Sequence, residues 1–265
     1  METPRVGDTW ERGSSYERYV GRWSRQVAPA FLAWLDLPAR LRWVDVGCGT
    51  GALCAAIVDH CAPASVAGVE PSEGFRASAA ANLADRATIL PGSATELPLP
   101  DASVDAVVSA LALNFVPDPA AGLVEMRRVT RAGGAIAAYV WDYAGKIEFL
   151  RAFWDAAVAL DPSAAAADEG ARFPLCRPEP LRALFESARL SRVAVTALDV
   201  PTPFADFEDF WQPFLGGQGP APAYAMALEE PARARLREAV RARLPVAADG
   251  SIALIARAWA VRGTA

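Results

Sequence analysis

The chain has few histidines and cysteines, and this scarcity excludes most metal sites built from them. It contains one histidine, His60, and no CxxC pair. Structural zinc sites need four such ligands at short, characteristic spacings. We therefore predict no metal site and interpret the four thiols as reduced, small apolar residues: Cys48, Cys54, Cys61 and Cys176.

The chain also lacks an excess of positive charge and a long apolar run. Lys and Arg total 26 against 31 Asp and Glu, so the formal net charge is -5, and no basic face is expected to neutralise a nucleic-acid backbone. The charged N-terminal segment is unlike a signal peptide, and no stretch reaches the roughly 18 apolar residues of a membrane span. These absences predict a cytoplasmic protein with no nucleic-acid partner and no membrane span, and they leave its oligomeric state open.

Apolar residues are abundant, and their pattern predicts an α/β fold. They make up 53% of the 265 residues, which is enough for the core of one domain. From Leu41 onward, short apolar runs alternate with helical patterns, as in the β-α-β units of a parallel sheet. The predicted strands span residues 41–46, 65–70, 87–90, 104–110, 135–141, 193–200 and 252–261.

We expect a single domain over residues 1–265, organised in three parts. Residues 1–40 form an N-terminal helical cap with two helices, the second beginning near Ser24, and residues 41–143 form the core. Residues 144–265 contain an insertion at about 201–250 that is too long for a hairpin loop and is expected to cap the sheet. Its aromatic residues fit either an apolar ligand pocket or plain burial: Phe207, Phe210, Trp211 and Phe214.

One helix of the core carries signals for both of its ends. Asp118 is expected to cap its N-terminus, and Pro119 suits its first turn. Gly133 and Gly134 are expected to end it, because glycine is favoured just beyond a helix C-terminus.

The strongest motif is the stretch VDVGCGTG at residues 44–51, where a strand runs into a glycine-rich turn and then a helix. Glycine lacks the Cβ that would keep a ligand from the backbone, and the helix N-terminus offers unpaired N–H groups. Glu70, at the end of the second strand, is placed to accept hydrogen bonds from the ribose hydroxyls of a nucleoside. The alternative role for Glu70 is structural, as a cap for the turn at Pro71 and Ser72.

Two cofactor classes fit this loop. Gly47, Gly49 and Ala52 satisfy the loose dinucleotide pattern GxGxxG/A, which leaves an NAD(P)-dependent oxidoreductase open. Asp45 favours the other class, because a carboxylate just before the glycines is poorly placed for a pyrophosphate but suits the ammonium group of a methionine moiety.

The residues around the loop resemble class I S-adenosylmethionine-dependent methyltransferases, in particular the small-molecule type of ubiquinone and menaquinone biosynthesis. The resemblance runs from Trp43 to Tyr139 through VDVGCGTG, EPS at 70–72, GSA at 92–94, DASVD at 101–105 and EMRRV at 125–129. It implies a Rossmann-like, doubly wound sheet of seven strands, mostly parallel with an antiparallel last strand. It also implies S-adenosyl-L-methionine as the cofactor and methyl transfer to a small molecule. An acceptor of apolar or aromatic character is the expectation if the aromatic residues of the insertion line a pocket.

The same resemblance implies roles for individual residues. Many relatives carry Asp where this chain has Ser93, so the adenine contact is expected to be weaker or to pass to the Ala94 backbone. The implied site holds the methionine part with Asp45, Gly47 and Gly49, the ribose with Glu70, the adenine edge with Pro71 and Ser72, and the adenine ring with Ser93 and Ala94, while Cys48 and Ala110 complete its lining.

Five further residues each carry two interpretations. Tyr16, Tyr19 and Trp23 form an aromatic stripe that either packs in the core or closes over the positive sulfur of the cofactor. Asp142 and Tyr143 follow the fifth strand, at the sheet edge where ligands of α/β proteins bind. They are weak candidates for catalysis, and for Asp142 the favoured interpretation is a cap of the next helix.

Cys48 and His60 are not expected to be catalytic. The loop demands a small residue at Cys48, no histidine base lies nearby in the sequence, and His60 falls in a last helical turn, where it complements the helix dipole. The remaining non-enzyme alternative is a cofactor-binding protein that has lost turnover.

Overall fold

Seven strands form one sheet in the computed structural model, which describes residues 21–216 and 219–265. In chain order they are β1 (Arg42–Val46), β2 (Ser65–Glu70), β3 (Thr88–Pro91), β4 (Val104–Ala110), β5 (Thr130–Trp141), β6 (Ser191–Phe204) and β7 (Ile252–Thr264). Their order in the sheet is β3-β2-β1-β4-β5-β7-β6. Strands β1 to β5 pair in parallel, and β7 is antiparallel to β5. The predicted seven-stranded α/β sheet with an antiparallel last strand is confirmed.

The α-helices of the described residues lie before β1 and between successive strands, except between β3 and β4, and three of them lie in each of the last two connections. They are α1 (Arg22–Leu35), α2 (Ala52–His60), α3 (Glu73–Leu83), α4 (Pro119–Val129), α5 (Glu148–Leu160), α6 (Glu169–Arg172), α7 (Pro178–Ser187), α8 (Phe207–Trp211), α9 (Pro220–Ala227) and α10 (Glu230–Arg241). The second predicted N-terminal helix is therefore α1, and the first lies outside the described residues. Within the described part of the chain, no helix is long and apolar enough to cross a membrane.

The chain divides into two compact units. The sheet unit comprises Ser24–Trp141, Leu175–Leu198 and Ala258–Ala265. The aromatic unit comprises the described residues of Met1–Trp23, Asp142–Pro174 and Asp199–Arg257. The organisation of residues 1–265 as a single domain stays a prediction.

The central strands of the sheet unit are apolar because both of their faces are covered. Successive residues of a strand point to opposite faces, and the last four residues of β1 are all buried. Helix α1 packs on this unit through Phe31, whose ring centroid lies 4.8 Å from that of Tyr139 in β5. Arg262 of β7 donates hydrogen bonds to the carbonyls of Trp34 and Leu35, both at 3.1 Å, which satisfies acceptors that a helix C-terminus leaves unpaired.

Helix α4 begins as predicted. The carboxylate of Asp118 accepts a hydrogen bond from the backbone N–H of Ala121 at 3.0 Å, and Pro119 occupies the first turn. This is the arrangement that an N-cap residue followed by proline favours.

The prediction that Gly133 and Gly134 end this helix is wrong. The helix ends at Val129, and both glycines lie inside β5, which begins five residues earlier than predicted. The register explains the difference, because Thr130 pairs with Val104 whereas Ala135 pairs with Ala106, which leaves extra residues on β5. Gly133 has a φ of 75°, a conformation that glycine adopts without steric cost.

The aromatic unit is held together by stacked and edge-on rings. The rings of Phe153 and Phe214 stack with centroids 4.6 Å apart, and Phe207 stacks on Trp211 at 6.3 Å. Such pairs stabilise beyond their buried area by about 0.5–1.5 kcal/mol each. All four aromatic residues that fitted either a pocket or burial are at most 7% exposed, which supports burial: Phe207, Phe210, Trp211 and Phe214.

Candidate cofactor-binding site

The glycine-rich loop is fixed at the carboxyl ends of three neighbouring strands. The backbone N–H groups of Gly47 and Cys48 donate to the carbonyl of Val69 in β2, at 2.8 and 3.2 Å. On the other side of β1, the hydroxyl of Ser109 in β4 donates to the carbonyl of Val46 at 2.8 Å. The loop therefore lies at the edge of the sheet where ligands of parallel α/β proteins bind.

Two glycines of the loop are required by both conformation and space. Gly47 has a φ of 72°, and a Cβ added to it would lie 2.6 Å from the Cβ of Ala112. Gly51, which precedes α2, has a φ of 86°, and an added Cβ would lie 2.7 Å from Leu83 Cδ1. Gly49 also has a positive φ, 54°, but no atom of the described residues lies within 4 Å of the position that its Cβ would take. The backbone around Gly49 is thus the part of the loop that a ligand can approach.

Glu70 organises this loop from the end of β2. Its Oε2 accepts a hydrogen bond from the N–H of Gly49 at 3.0 Å, and its Oε1 accepts one from the N–H of Ser72 at 2.9 Å. The structural role considered for Glu70, a cap of the turn at Pro71 and Ser72, is therefore present. A carboxylate offers about four lone-pair sites, so these two bonds leave capacity for ribose hydroxyls, and the ribose role stays a prediction.

Asp45 is a buried carboxylate with an unused acceptor. It is 0% exposed, its Oδ1 has no hydrogen-bond partner among the described residues, and its Oδ2 accepts from the thiol of Cys54 at 3.5 Å. Burial, together with the nearby charge of Glu70, raises the pKa of Asp45 to about 7, although the Cys54 bond acts in the opposite direction. A buried carboxylate with a free oxygen fits a cationic partner such as an ammonium group.

The two thiols near Asp45 are arranged as packing groups. A hydrogen bond with Cys48, together with burial, raises the pKa of Cys54 well above its usual value, so this thiol stays protonated. Cys48 is 6% exposed, and its Sγ lies 2.6 Å from the position that a Cβ on Gly68 would take. The thiolate, not the thiol, is the nucleophile in cysteine chemistry, so the protonated Cys54 is unsuited to such a role.

Replacing Cys48 by Ser is expected to leave most of the cofactor affinity intact. The position needs a small side chain packed against Gly68, and Ser meets that requirement. Isothermal titration with S-adenosylhomocysteine should show a change in Kd of no more than about threefold, below 1 kcal/mol. Gly68→Ala is the matched contrast, because its Cβ has to displace the Cys48 side chain and should lower the melting temperature. A Cys48→Ser variant that binds normally but loses turnover would assign chemistry to the thiol.

The predicted adenine residues lie at the ends of the neighbouring strands. Pro71 and Ser72 follow β2 directly, and the Ser72 hydroxyl caps α3 by accepting from Phe75 N at 3.4 Å. Ser93 lies two residues beyond β3, and its hydroxyl is 3.2 Å from that of Thr95. The structure brings these residues to the same edge of the sheet as the glycine loop, together with Ala94 and the half-buried Ala110 that ends β4.

The aromatic candidates divide between described and undescribed residues. Tyr16 and Tyr19 lie outside the described residues. Trp23 is 4% exposed and packs edge-on against Phe204 in the aromatic unit, with ring centroids 5.4 Å apart. The guanidinium of Arg22 lies 4.2 Å from the Trp23 ring centroid. The contacts of Trp23 are those of core packing, and its cofactor role stays a prediction.

Asp142 stabilises a turn that precedes the next helix. The prediction that its side chain caps that helix is wrong. Its Oδ2 accepts from the N–H of Lys146 at 2.9 Å, whereas the N-cap position of α5 is Ile147, which has no side-chain cap. Tyr143 is 9% exposed, and its ring lies 5.5 Å from that of Phe173. Their catalytic roles stay predictions.

The sequence analysis missed one residue of the site, Ala112, in the segment after β4. Its Cβ lies 2.6 Å from the position that a Cβ added to Gly47 would take, and the 3-10 helix Leu113–Phe115 follows it in the chain. Strand order could have predicted this contact, because β4 lies next to β1 in the sheet and the residues that follow the two strands meet at the same edge.

Sequence comparison connects this site with known proteins. Residues 44–138 match the family model described as a methyltransferase domain. The chloroplastic 2-methyl-6-phytyl-1,4-hydroquinone methyltransferase 2 of Oryza sativa subsp. japonica is 37% identical over 116 residues, which are 43% of this chain and 33% of that protein. An uncharacterized methyltransferase of Mycobacterium tuberculosis is 36% identical over 131 residues, 48% of this chain and 52% of that protein. The chain thus spans between a third and about half of the length of these relatives.

Solved structures share the fold over most of the chain. A putative methyltransferase from an antibiotic biosynthesis pathway of Anabaena variabilis has a TM-score of 0.62 at 22% identity and covers 91% of this chain and 97% of its own. Phosphoethanolamine N-methyltransferase 2 of Haemonchus contortus, solved in complex with S-adenosylhomocysteine, has a TM-score of 0.59 at 16% identity and covers 95% of this chain and 56% of its own. At these identities the likeness establishes the fold.

Proposed function

We propose that this chain, which carries a class I methyltransferase domain, transfers a methyl group from S-adenosylmethionine to a small molecule. The observation that carries the proposal is the buried Asp45 carboxylate with its unpartnered Oδ1, one strand away from the carboxylate of Glu70. These two acceptors match the ammonium group of the methionine moiety and the hydroxyls of the neighbouring ribose, and no described atom lies within 4 Å of a Cβ added at Gly49, which leaves the loop backbone open to a ligand.

In this function the chain's own residues bind and align the reactants. When bound, the cofactor supplies a sulfonium methyl that is already activated for displacement. Asp45 would neutralise the ammonium group, and Glu70 would accept from the ribose while keeping the loop in place. Most of the acceleration is then attributed to alignment of the acceptor and exclusion of water.

For the acceptor we propose a neutral aromatic molecule. The support is that the rice relative is named for a hydroquinone and that no excess of basic charge in the chain favours a polyanionic substrate. A cytoplasmic location and the absence of a nucleic-acid partner stay predictions of the sequence.

The binding step is expected to be metal-independent and selective for the proposed cofactor. Titration of the purified protein should give the same Kd for S-adenosylhomocysteine with and without EDTA, and NAD should bind at least about tenfold more weakly, a difference of roughly 1.4 kcal/mol. A strict requirement for a divalent cation, or tighter binding of NAD, would contradict the proposal.

Turnover is tested separately from binding. The protein should form S-adenosylhomocysteine from S-adenosylmethionine with at least one member of an acceptor panel that includes methyl-1,4-hydroquinone. Intact cofactor binding without turnover on the whole panel would favour the non-catalytic alternative.

A further inference from the structure

The turn that follows β4 is held tightly against the glycine loop. Ala112 lies so close to Gly47 that an added Cβ there would be 2.6 Å from the Ala112 Cβ. Leu111 has a φ of 56°, a conformation that costs free energy for a residue with a branched side chain. Its N–H donates to the carbonyl of Tyr139 at 2.8 Å, which holds the turn in this conformation.

Asn114 carries unsatisfied polar atoms within this turn. Its Nδ2 and Oδ1 are both buried, and neither has a hydrogen-bond partner among the described residues. Leaving a carboxamide buried and unpaired costs free energy, so buried polar groups are nearly always paired with protein, water or ligand. Asn114 lies two residues along the chain from Ala112, which adjoins Gly47, so its unpaired carboxamide belongs to the segment at the cofactor-binding edge of the sheet.

We infer that Asn114 binds a hydroxyl group of the methyl acceptor. The inference rests on the function proposed above and specifies the acceptor as an alcohol or phenol. A carboxamide offers two N–H donors and a carbonyl acceptor, and a hydroxyl both donates and accepts, so one hydroxyl can pair with both ends of the side chain. A hydrogen bond of this kind discriminates strongly against analogues that lack the hydroxyl, because the polar group of the site is then left unpaired. Asn114 is therefore assigned as a specificity-determining residue.

The test compares one probe with and without hydroxyl groups. Methyl-1,4-hydroquinone and its dimethyl ether are titrated into the protein saturated with S-adenosylhomocysteine, for the wild type and for Asn114→Leu. The wild type should bind the hydroquinone at least about tenfold more tightly than the ether. The leucine variant should bind both with Kd values within about threefold of each other, and its Kd for S-adenosylhomocysteine should match that of the wild type.

Two further variants keep the result interpretable. Phe115→Leu alters an exposed neighbour in the same turn and should retain the wild-type preference. Asn114→Ser, a smaller polar replacement, provides the same comparison if the leucine variant does not fold. It should lose most of the preference for the hydroquinone, because its short hydroxyl cannot replace both the donor and the acceptor of the carboxamide.

Each outcome supports or overturns a defined statement. A wild type that binds S-adenosylhomocysteine but shows no preference for the hydroquinone overturns the inference and leaves the proposed function standing. A leucine variant that loses S-adenosylhomocysteine affinity assigns Asn114 to the cofactor and also overturns it. A wild type that binds no S-adenosylhomocysteine removes the proposed function itself.

Discussion

Replacing Asp45 by Asn is expected to weaken S-adenosylhomocysteine binding by at least about tenfold, because a hydrogen bond to a charged group contributes about 1.5–3 kcal/mol. The variant keeps the size of the side chain and removes its negative charge, which is the feature that an ammonium group needs. The measurement is isothermal titration at pH 8, where the wild-type carboxylate is ionised. Unchanged affinity in the variant would remove Asp45 from the site.

The same substitution is expected to change how the ligand-free protein responds to pH. The pKa of Asp45 is about 7 in the folded protein against an ordinary value of 3.8, so the folded state binds more protons than the unfolded state between these values. Folding stability is therefore lost as the pH rises from about 4 to about 7, by on the order of 4 kcal/mol for such a shift. The Asn variant lacks this dependence.

Urea unfolding at pH 5 and pH 8 tests this prediction. The free energy of unfolding of the wild type should fall between these pH values relative to that of Asp45→Asn. Binding should show the linked effect, since S-adenosylhomocysteine should expel a proton from Asp45 at pH 6 and the heat should vary with the ionisation enthalpy of the buffer. Parallel pH profiles for the two proteins would show that Asp45 is ionised in the ligand-free fold.

Replacing Glu70 by Ala is expected to affect both ligand affinity and the ligand-free protein. Removal of the carboxylate leaves the N–H groups of Gly49 and Ser72 without their acceptor, and each such bond to a charged group contributes about 1.5–3 kcal/mol. The free energy of unfolding should therefore fall by about 2 kcal/mol or more. The affinity for S-adenosylhomocysteine should fall by at least about tenfold, because the ribose acceptor is lost and the loop is less ordered.

Glu70→Gln and Glu73→Ala separate these contributions. The glutamine variant can still accept one backbone bond, so it should recover part of the stability but little of the affinity. Glu73 is an exposed carboxylate in the first turn of α3, and its removal should cost no more than about 1 kcal/mol of stability and leave the affinity intact. A Glu70→Ala protein that is destabilised but binds normally would confine Glu70 to the structural role and contradict the ribose assignment.

The sequence by itself determined the sheet and the location of the site. Strands buried on both faces are continuous apolar runs in the sequence. The glycine-rich turn after the first of them marks positions of positive φ, which glycine adopts without steric cost. For the same reason Asp118 and Pro119 marked the start of α4 correctly, since capping depends on neighbouring residues in the chain.

Tertiary contacts decided what local patterns could not. Gly133 and Gly134 have the composition of a helix end, but pairing with β4 drew them into a strand with extra residues. Glu70 accepts hydrogen bonds from two backbone N–H groups, those of Gly49 and Ser72. The first of these bonds could not be predicted from local sequence, because the fold brings Gly49 to Glu70 across 21 positions. Asn114 stands out only in the folded protein, where its carboxamide is buried with no hydrogen-bond partner in the described part of the chain. Burial and pairing are properties of the packed chain, and no spacing of residues encodes them.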